Sequence, residues 1–498
     1  MDDCENNTVK NVEKENESET ADNIHKQKRS MIPHSTAPPD IVCTKQRARE
    51  EVIKAIEEVV QHLLDDLSQG QCPTLVCNAR HRWDSVRFEE NVGIQMLAES
   101  SVCEVIVYGR NEIWTKARKL RSDSPWCLPG RGGTLLLALL PYCWNILQIP
   151  AWTAAQYMKI FQMIYHLVQT DSFSTKRDIY YNDPKLFGKQ TVVDQVIDNI
   201  SCMLQVPRSC LHVTSTSKGC VAGDLRYIED NGAHIDCNSS ANGVLISTQV
   251  EGIQNMSSKA QFILVVEKDA TFQKLLDDGF CVKMHSCILI TGKGVPDVNT
   301  RLFLHKIWNI FQFPIFALVD ADPHGIEIMT IYKYGSLSMS FDASNLTVPT
   351  LHWLGLLPSD IERLGISKAV RLPMTQRDRS KLEELIKRPY IEAQPLWRKE
   401  LERLEACGEK AEIQSLASLS SSFLAHVYLP NKLHFGGHQK LLICGTRHPL
   451  DEELCHLELK CRLVDIKDST VYFIRINHCV QLPSWCWMHY LTCNSKSY

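Results

Sequence analysis

Ile315-Phe316-Ala317-Leu318-Val319-Asp320-Ala321-Asp322 is a run of five apolar residues closed by two carboxylates with one alanine between them. A run this short and apolar on both faces reads as a strand buried inside a parallel sheet. Upstream, Phe262-Ile263-Leu264-Val265-Val266-Glu267 repeats the pattern with a single carboxylate at its end. Strands are predicted at residues 261–266, 287–291 and 314–319, and amphipathic helical segments at 270–276, 300–311 and 326–332 separate or follow them. Alternation of this kind implies an α/β unit whose functional groups gather at the carboxyl ends of its strands. Glu267, Asp320 and Asp322 all fall there, and hard divalent ions such as Mg²⁺ prefer carboxylate oxygens. The competing reading is that these acids simply face solvent.

Working back toward the N-terminus, Thr175-Lys176-Arg177-Asp178-Ile179-Tyr180-Tyr181-Asn182-Asp183 sets two tyrosines beside a Lys-Arg-Asp cluster. A phenol can attack a phosphodiester and form a covalent link. Its free pKa near 10 calls for a neighbouring cation or metal, and Lys176 and Arg177 supply cations in the same stretch. Alternation would let one tyrosine pack inward while its neighbour projects, so one of the pair is expected to react. Amphipathic packing of both is the plainer alternative. Apolar spacing predicts one helix leading into this stretch (Met158, Ile160, Phe161, Ile164, Tyr165, Leu167) and a second after it (Val192 to Leu204). A short strand near Leu211-His212-Val213 completes a winged-helix pattern, a fold that presents a helix to DNA. Lys218, between Ser217 and Gly219, is either a phosphate or phenolate contact or part of an ordinary turn. Gly292-Lys293-Gly294-Val295-Pro296-Asp297 puts flexible backbone beside a lysine, where a sugar-phosphate chain can pass close. It lacks the GxxxxGK[ST] order, and no ATP site is read anywhere in the chain.

The remaining segments are less informative. Residues 1–40 are polar and charged and are expected to be disordered; Lys26-Gln27-Lys28-Arg29 within them is a short basic run. A helix is predicted over 44–68, with Val52, Ile53, Ile56, Val59, Val60, Leu63, Leu64 and Leu67 on one face, Thr44 as its cap and Gly70 at its end. That face serves either the core or a partner. Residues 71–154 read as irregular. Beyond Leu351 the chain reads as helical, with a mixed-charge run at 367–387 and an amphipathic segment at 396–406. The tail after Gly437 is rich in Cys and Trp.

At 498 residues, two or three domains are expected. The net charge of −4 confines any nucleic-acid contact to a local basic groove, with metal ions adding positive charge. Twenty cysteines without a CxxC pair, and a polar acidic N-terminus, favour reduced thiols in the cytosol or nucleus. Cys72, Cys77 and His81 make only half a zinc set. The apolar stretch 135–149 is too short, and too interrupted by Pro141, Asn145 and Gln148, to span a membrane.

Five motifs together resemble a known family: Thr-Lys-Arg-Asp-Ile-Tyr-Tyr at 175–181, Ser-Lys-Gly at 217–219, Val-Glu-Lys-Asp-Ala-Thr-Phe at 266–272, Gly-Lys-Gly-Val-Pro-Asp at 292–297 and Asp-Ala-Asp-Pro-His-Gly at 320–325. They look like those of the eukaryotic meiotic double-strand-break family (sporulation protein eleven), kin of the topoisomerase VI A subunit, over about residues 45–437 apart from a middle insert. The resemblance implies an α/β plus α+β multidomain fold, a winged-helix (CAP-like) domain followed by a Toprim α/β domain. In its terms the chain divides into a tail (1–40), a partner-binding helix (41–70), an irregular region with an insert (71–154), the tyrosine domain (155–250), the Toprim domain with its helical C-terminal part (251–437) and an atypical tail (438–498). It implies that Tyr181 is the nucleophile with Arg177 and Lys218 assisting, that Glu267, Asp320 and Asp322 hold Mg²⁺, and that Lys176, Lys293 and Gly294 meet DNA. It further implies cleavage of double-stranded DNA in the nucleus by a homodimer, the tyrosine of one copy meeting the metal of the other, with each copy left on a 5′ end. ATP would belong to a separate topoisomerase VI B-like subunit docking on the 44–68 helix, alongside other meiotic break-formation proteins. Two features depart from the family pattern, an insert at about 125–154 and the tail beyond 437; both read as splice or gene-model differences that bear on activity. The rival readings are the A subunit of a strand-passing type IIB topoisomerase and a DNA-binding scaffold with an unused site.

Overall fold

The computed structural model describes residues 41–69, 74–78, 80, 82–98, 103–107, 151–284 and 286–435. The expectations for residues 1–40, the apolar stretch 135–149, the insert up to residue 150, the tail 438–498, the Gly70 helix end, Cys72 and His81 lie outside the described residues.

The N-terminal half is built on helices. Helix α1 (Arg49–Ser68) buries Val52, Ile56, Val60 and Leu63, spaced so that one stripe faces inward. Helix α2 (Ala151–Thr170) fills that stripe with Tyr157, Phe161 and Ile164. Helix α3 (Lys176–Asn182) follows, then α4 (Gln190–Leu204), whose Val193, Val196, Ile197 and Ile200 join the same core. Each such side chain, fully withdrawn from water, contributes about 1.5–3 kcal/mol.

Several sequence-based expectations fail in this half. Helix α1 begins at Arg49, not at Thr44, because the Thr44 hydroxyl is buried and donates to the carboxylate of Asp342. The described residues between 74 and 107 include regular strands where an irregular region is expected. Strands Thr74–Asn78 and Cys103–Val107 pair with each other, and Val86–Glu89 and Ile94–Ala98 form an antiparallel hairpin that also pairs with Ile41–Val42. Residues 151–154 of the presumed insert form the start of α2. Leu211 ends a 3-10 turn (Arg208–Leu211), His212 is left-handed at φ 54°, and only Val213–Thr214 is strand, parallel to Ser174–Thr175.

The second half surrounds a six-stranded sheet. Its strands are β1 (Cys220–Gly223), β2 (Val244–Leu245), β3 (Phe262–Val266), β4 (Cys287–Thr291), β5 (Ile315–Leu318) and β6 (His352–Gly355), in the order β2-β1-β4-β3-β5-β6. From β4 to β6 the neighbours are parallel, while β1 and β2 add antiparallel to the other edge. All five residues of β3 and of β4 are buried, which is why they read as unbroken apolar runs. Helices α5 (Asp269–Asp277), α6 (Val298–Phe311), α7 (Pro323–Tyr334), α8 (Gln376–Ile386) and α9 (Pro395–Cys407) surround the sheet. Phe303, Ile307, Ile326, Met329, Leu382 and Leu401 share one core with Ile263, Val265 and Ile315.

Two expectations fail here as well. The region after Leu351 starts with strand β6 before turning helical. The boundary expected at residue 250 cuts through the sheet, because β1 and β2 precede it yet hydrogen-bond into the strands that follow. Arg80, almost fully buried, joins the halves: it donates to Asn199 Oδ1 at 2.7 Å and the Gln195 carbonyl at 3.2 Å on α4, and to the Ser338 carbonyl at 2.8 Å.

Candidate active site

Glu267 follows β3 directly and Asp320 lies two residues past β5, so parallel pairing of Val266 with Leu318 sets both acids side by side along the carboxyl-end edge of the sheet. Glu267 Oε2 accepts the backbone N–H of Asp320 at 2.8 Å. Asp322 caps α7, with its Oδ1 accepting from Gly325 N–H at 2.6 Å and Pro323 in the first helical turn. Burial, then the charges of Asp320 and Asp322, push Glu267 up to about 7. Burial also raises Asp320, opposed by Lys268 and the Ile413 N–H.

The surrounding cations come from elements that sequence reading left without a role. Lys268 Nζ lies 2.6 Å from Asp320 Oδ2 and 3.2 Å from Glu412. Ala321 and Ala411 exchange backbone hydrogen bonds, which brings the Ile413 N–H to 2.9 Å from Asp320 Oδ1. Lys410 sits 2.9 Å from Asp378 and 3.9 Å from Asp322. Burial would raise Asp378, but hydrogen bonds from Lys410 and Thr375 outweigh it and hold the carboxyl at about 2. Lys268 lies within the Val-Glu-Lys-Asp motif and beside Glu267, so its place at the same sheet edge was readable. Lys410 and Ile413 gave no comparable local signal.

Among the described residues, no group of three His, Cys, Asp or Glu side chains is gathered at metal-binding distance, and both oxygens of Asp320 are already engaged. The donor chemistry still fits a hard divalent cation. Two buried carboxylates meet at adjacent strand ends, and the charges of Asp320 and Asp322 add to burial in raising Glu267; a divalent ion would neutralise that charge.

The loop at 292–297 lies against this edge. Gly294, at φ 89°, donates its N–H to the Glu267 carbonyl at 2.8 Å, so the left-handed backbone there is what closes the loop on the acid strand. Lys293 pairs with Asp269 at 3.3 Å. Lys218 donates through its backbone to Asp297 Oδ2 at 2.9 Å and through Nζ to the Lys293 carbonyl at 3.2 Å. Lys218 therefore belongs to the sheet side, on the approach to β1. Among the described residues it makes no hydrogen bond or ion pair with Tyr181.

Helix α3 is short and depends on its cap. Thr175 Oγ1 accepts from Asp178 N–H at 3.1 Å, and Asp178 Oδ2 accepts from Thr175 N–H at 3.1 Å. Tyr180 leans on the helical core and donates to the Gly188 carbonyl at 3.3 Å, while Tyr181 is 70% exposed. One tyrosine packs inward and its neighbour projects, as alternation predicts; the helical turn of about 100° between neighbours produces it. Arg177 is exposed and lies four residues before Tyr181, on the same helical face. Lys176 differs from expectation: its ammonium is tied to Asp198 at 2.9 Å and Asp194 at 3.8 Å on α4, which leaves it a strut between helices rather than a free cation.

An acidic parallel-sheet edge and a separate helix offering a tyrosine make up the layout of a Toprim-bearing, topoisomerase-like protein. The Toprim domain of the topoisomerase 6 A-subunit/Spo11 family matches residues 262–433, and the family described as Type IIB DNA topoisomerase matches 152–213. The chain is 47% identical over 408 residues to the meiotic recombination protein SPO11 of Mus musculus, covering 82% of this chain and 93% of that one. It is 48% identical over 387 residues to SPO11 of Homo sapiens, covering 78% and 88%. To the A subunit of DNA topoisomerase 6 from Arabidopsis thaliana it is 42% identical over 276 residues, covering 55% and 64%. The chain belongs to the family that unites Spo11 with the topoisomerase 6 A subunits.

Proposed function

We propose that this chain starts meiotic recombination by cutting duplex DNA through transesterification, with Tyr181 attacking a phosphodiester and staying joined to the 5′ end. The observation that carries the reading is the exposed Tyr181 and Arg177 on one face of a capped helix, in a chain nearly half identical to mammalian SPO11. In a phosphoryl transfer the positioned nucleophile and the cation beside the phosphorane do most of the work. Arg177 supplies that cation in the reading, and Lys218, Lys293 and the Gly294 backbone line the path of the sugar-phosphate chain. Helices α2 to α4 with their short strand pair serve as the winged-helix unit. Glu267, Asp320 and Asp322 would hold Mg²⁺, whose chemistry is neutralisation of phosphate charge.

Tyr181 makes no hydrogen bond or ion pair with the acidic edge among the described residues, which suits a homodimer in which the tyrosine of one copy serves the acids of the other. The apolar stripe of α1 is filled by α2, so a topoisomerase VI B-like partner would meet its outer side, where Lys54, Glu58, Gln61 and His62 are exposed. Such a protein acts in the nucleus. The test is to incubate purified protein with duplex DNA and Mg²⁺, recover covalently linked oligonucleotides and map the modified tyrosine. Linkage at Tyr181 through a 5′ phosphate is expected; a protein free of DNA, or linkage elsewhere, refutes it. Relaxation of supercoiled DNA with ATP and a B-type partner would mark a strand-passing enzyme instead.

A further inference from the structure

Asp320 spends both carboxylate oxygens on this chain. Ile413 N–H takes Oδ1 at 2.9 Å, and the Lys268 ammonium takes Oδ2 at 2.6 Å. The same ammonium lies 3.2 Å from Glu412 Oε2 and 3.3 Å from Gln414 Oε1. Lys268 therefore bridges the acid edge and the 412–414 segment. The Asp320 side chain is only 4% exposed, whereas Glu412 is half exposed. A contact between two exposed groups would count for little. Here one partner is desolvated, and removing its cation without a replacement leaves a buried uncompensated charge.

We propose that Lys268 is a built-in competitor for the divalent cation at Glu267 and Asp320. In the metal-free chain its ammonium neutralises Asp320. A divalent ion brought to Oδ2 meets the repulsion of that ammonium and binds best once the ammonium has moved off, keeping its contacts to Glu412 and Gln414. This inference rests on the metal reading above. It adds that metal affinity is held down by a residue of the same motif, since an ammonium 2.6 Å from Oδ2 repels a second cation brought to that oxygen.

The experiment titrates the full-length chain with Mn²⁺ and follows free ion by electron paramagnetic resonance, without DNA. K268Q is expected to bind about tenfold more tightly than wild type, as removal of a competing charge-assisted contact requires. K268R keeps the cation and should bind no more tightly than wild type. K410Q removes a charge 3.9 Å from Asp322 that makes no ion pair with Asp320, and should gain less than K268Q. Equal or weaker binding by K268Q, a gain in K268R, or an equal gain in K410Q overturns the competition while leaving the metal reading intact. Absence of Mn²⁺ binding in every chain overturns both. Metal-free melting curves establish that each variant folds, and K268M replaces K268Q if the glutamine chain does not.

Discussion

Glu267 Oε2 accepts the backbone N–H of Asp320 at 2.8 Å, so the acid ending one strand holds the main chain leaving its parallel neighbour. A carboxylate used in this way positions the second acid as well as carrying charge. Gly325 lies directly over the pair: a Cβ there would sit 2.8 Å from the Asp320 carbonyl oxygen and from Glu267 Oε2, and 3.0 Å from Asp320 N. Two of these atoms are backbone and cannot step aside. G325A is expected to cost about 1–3 kcal/mol, as overpacking does, and to abolish the rise in melting temperature with divalent cation that the proposed metal site predicts for wild type. A thermal melt with and without MgCl₂ checks both.

The two tyrosines separate by exposure. Y181F should lower recovery of protein-linked DNA by at least about a thousandfold, because no other group on that helical face can replace the phenol. Y180F loses one hydrogen bond, to Gly188 at 3.3 Å, and should stay within a few-fold of wild type. Immunoprecipitation followed by end-labelling of bound oligonucleotides measures the two together.

Lys176 and Arg177 are neighbours with different employment. K176A breaks a half-buried ion pair with Asp198 and should cost about 1–3 kcal/mol by urea denaturation, with the salt dependence of DNA affinity unchanged. R177A should leave stability within about 0.5 kcal/mol. It should reduce the slope of log affinity against log salt by about one, the signature of one lost phosphate contact.

Asp378 gives a pH test with a definite sign. Its folded value of about 2 is below the ordinary 3.8, so the unfolded chain takes up the proton first. The stabilisation is fully present above about pH 4 and is lost as pH falls through 2. D378N should remove a pH-dependent part of roughly 2 kcal/mol, so the gap between wild type and variant at pH 7 narrows by that amount toward pH 2. Urea denaturation across that range measures it.

Much of the sheet was legible beforehand. Strands β3, β4 and β5 and helices α5, α6 and α7 fall within a few residues of where apolar period places them, because buried parallel strands and amphipathic helices carry local patterns. Strand β6 is not legible because His352 and Gly355 bracket only two apolar residues. The strands within 74–107 are not legible because polar or charged residues interrupt them, as in Thr74–Asn78, Val86–Glu89 and Cys103–Val107, so none is an unbroken apolar run. Thr44 misled for a different reason. A threonine ahead of an apolar run resembles a cap, but its hydroxyl is claimed by Asp342 far along the chain.

The sequence by itself determined that acids end two buried strands and that two tyrosines follow a helix, since these depend on residue order and short-range period. Tertiary structure alone decided which partner each cation takes: Lys176 the Asp198 carboxylate, Lys218 the Lys293 carbonyl, Lys268 the Asp320 carboxylate and Lys410 the Asp378 carboxylate. The reason is physical. A lysine stem reaches several ångströms in any direction, and only packed neighbours and the desolvation of a particular carboxylate fix where its charge comes to rest.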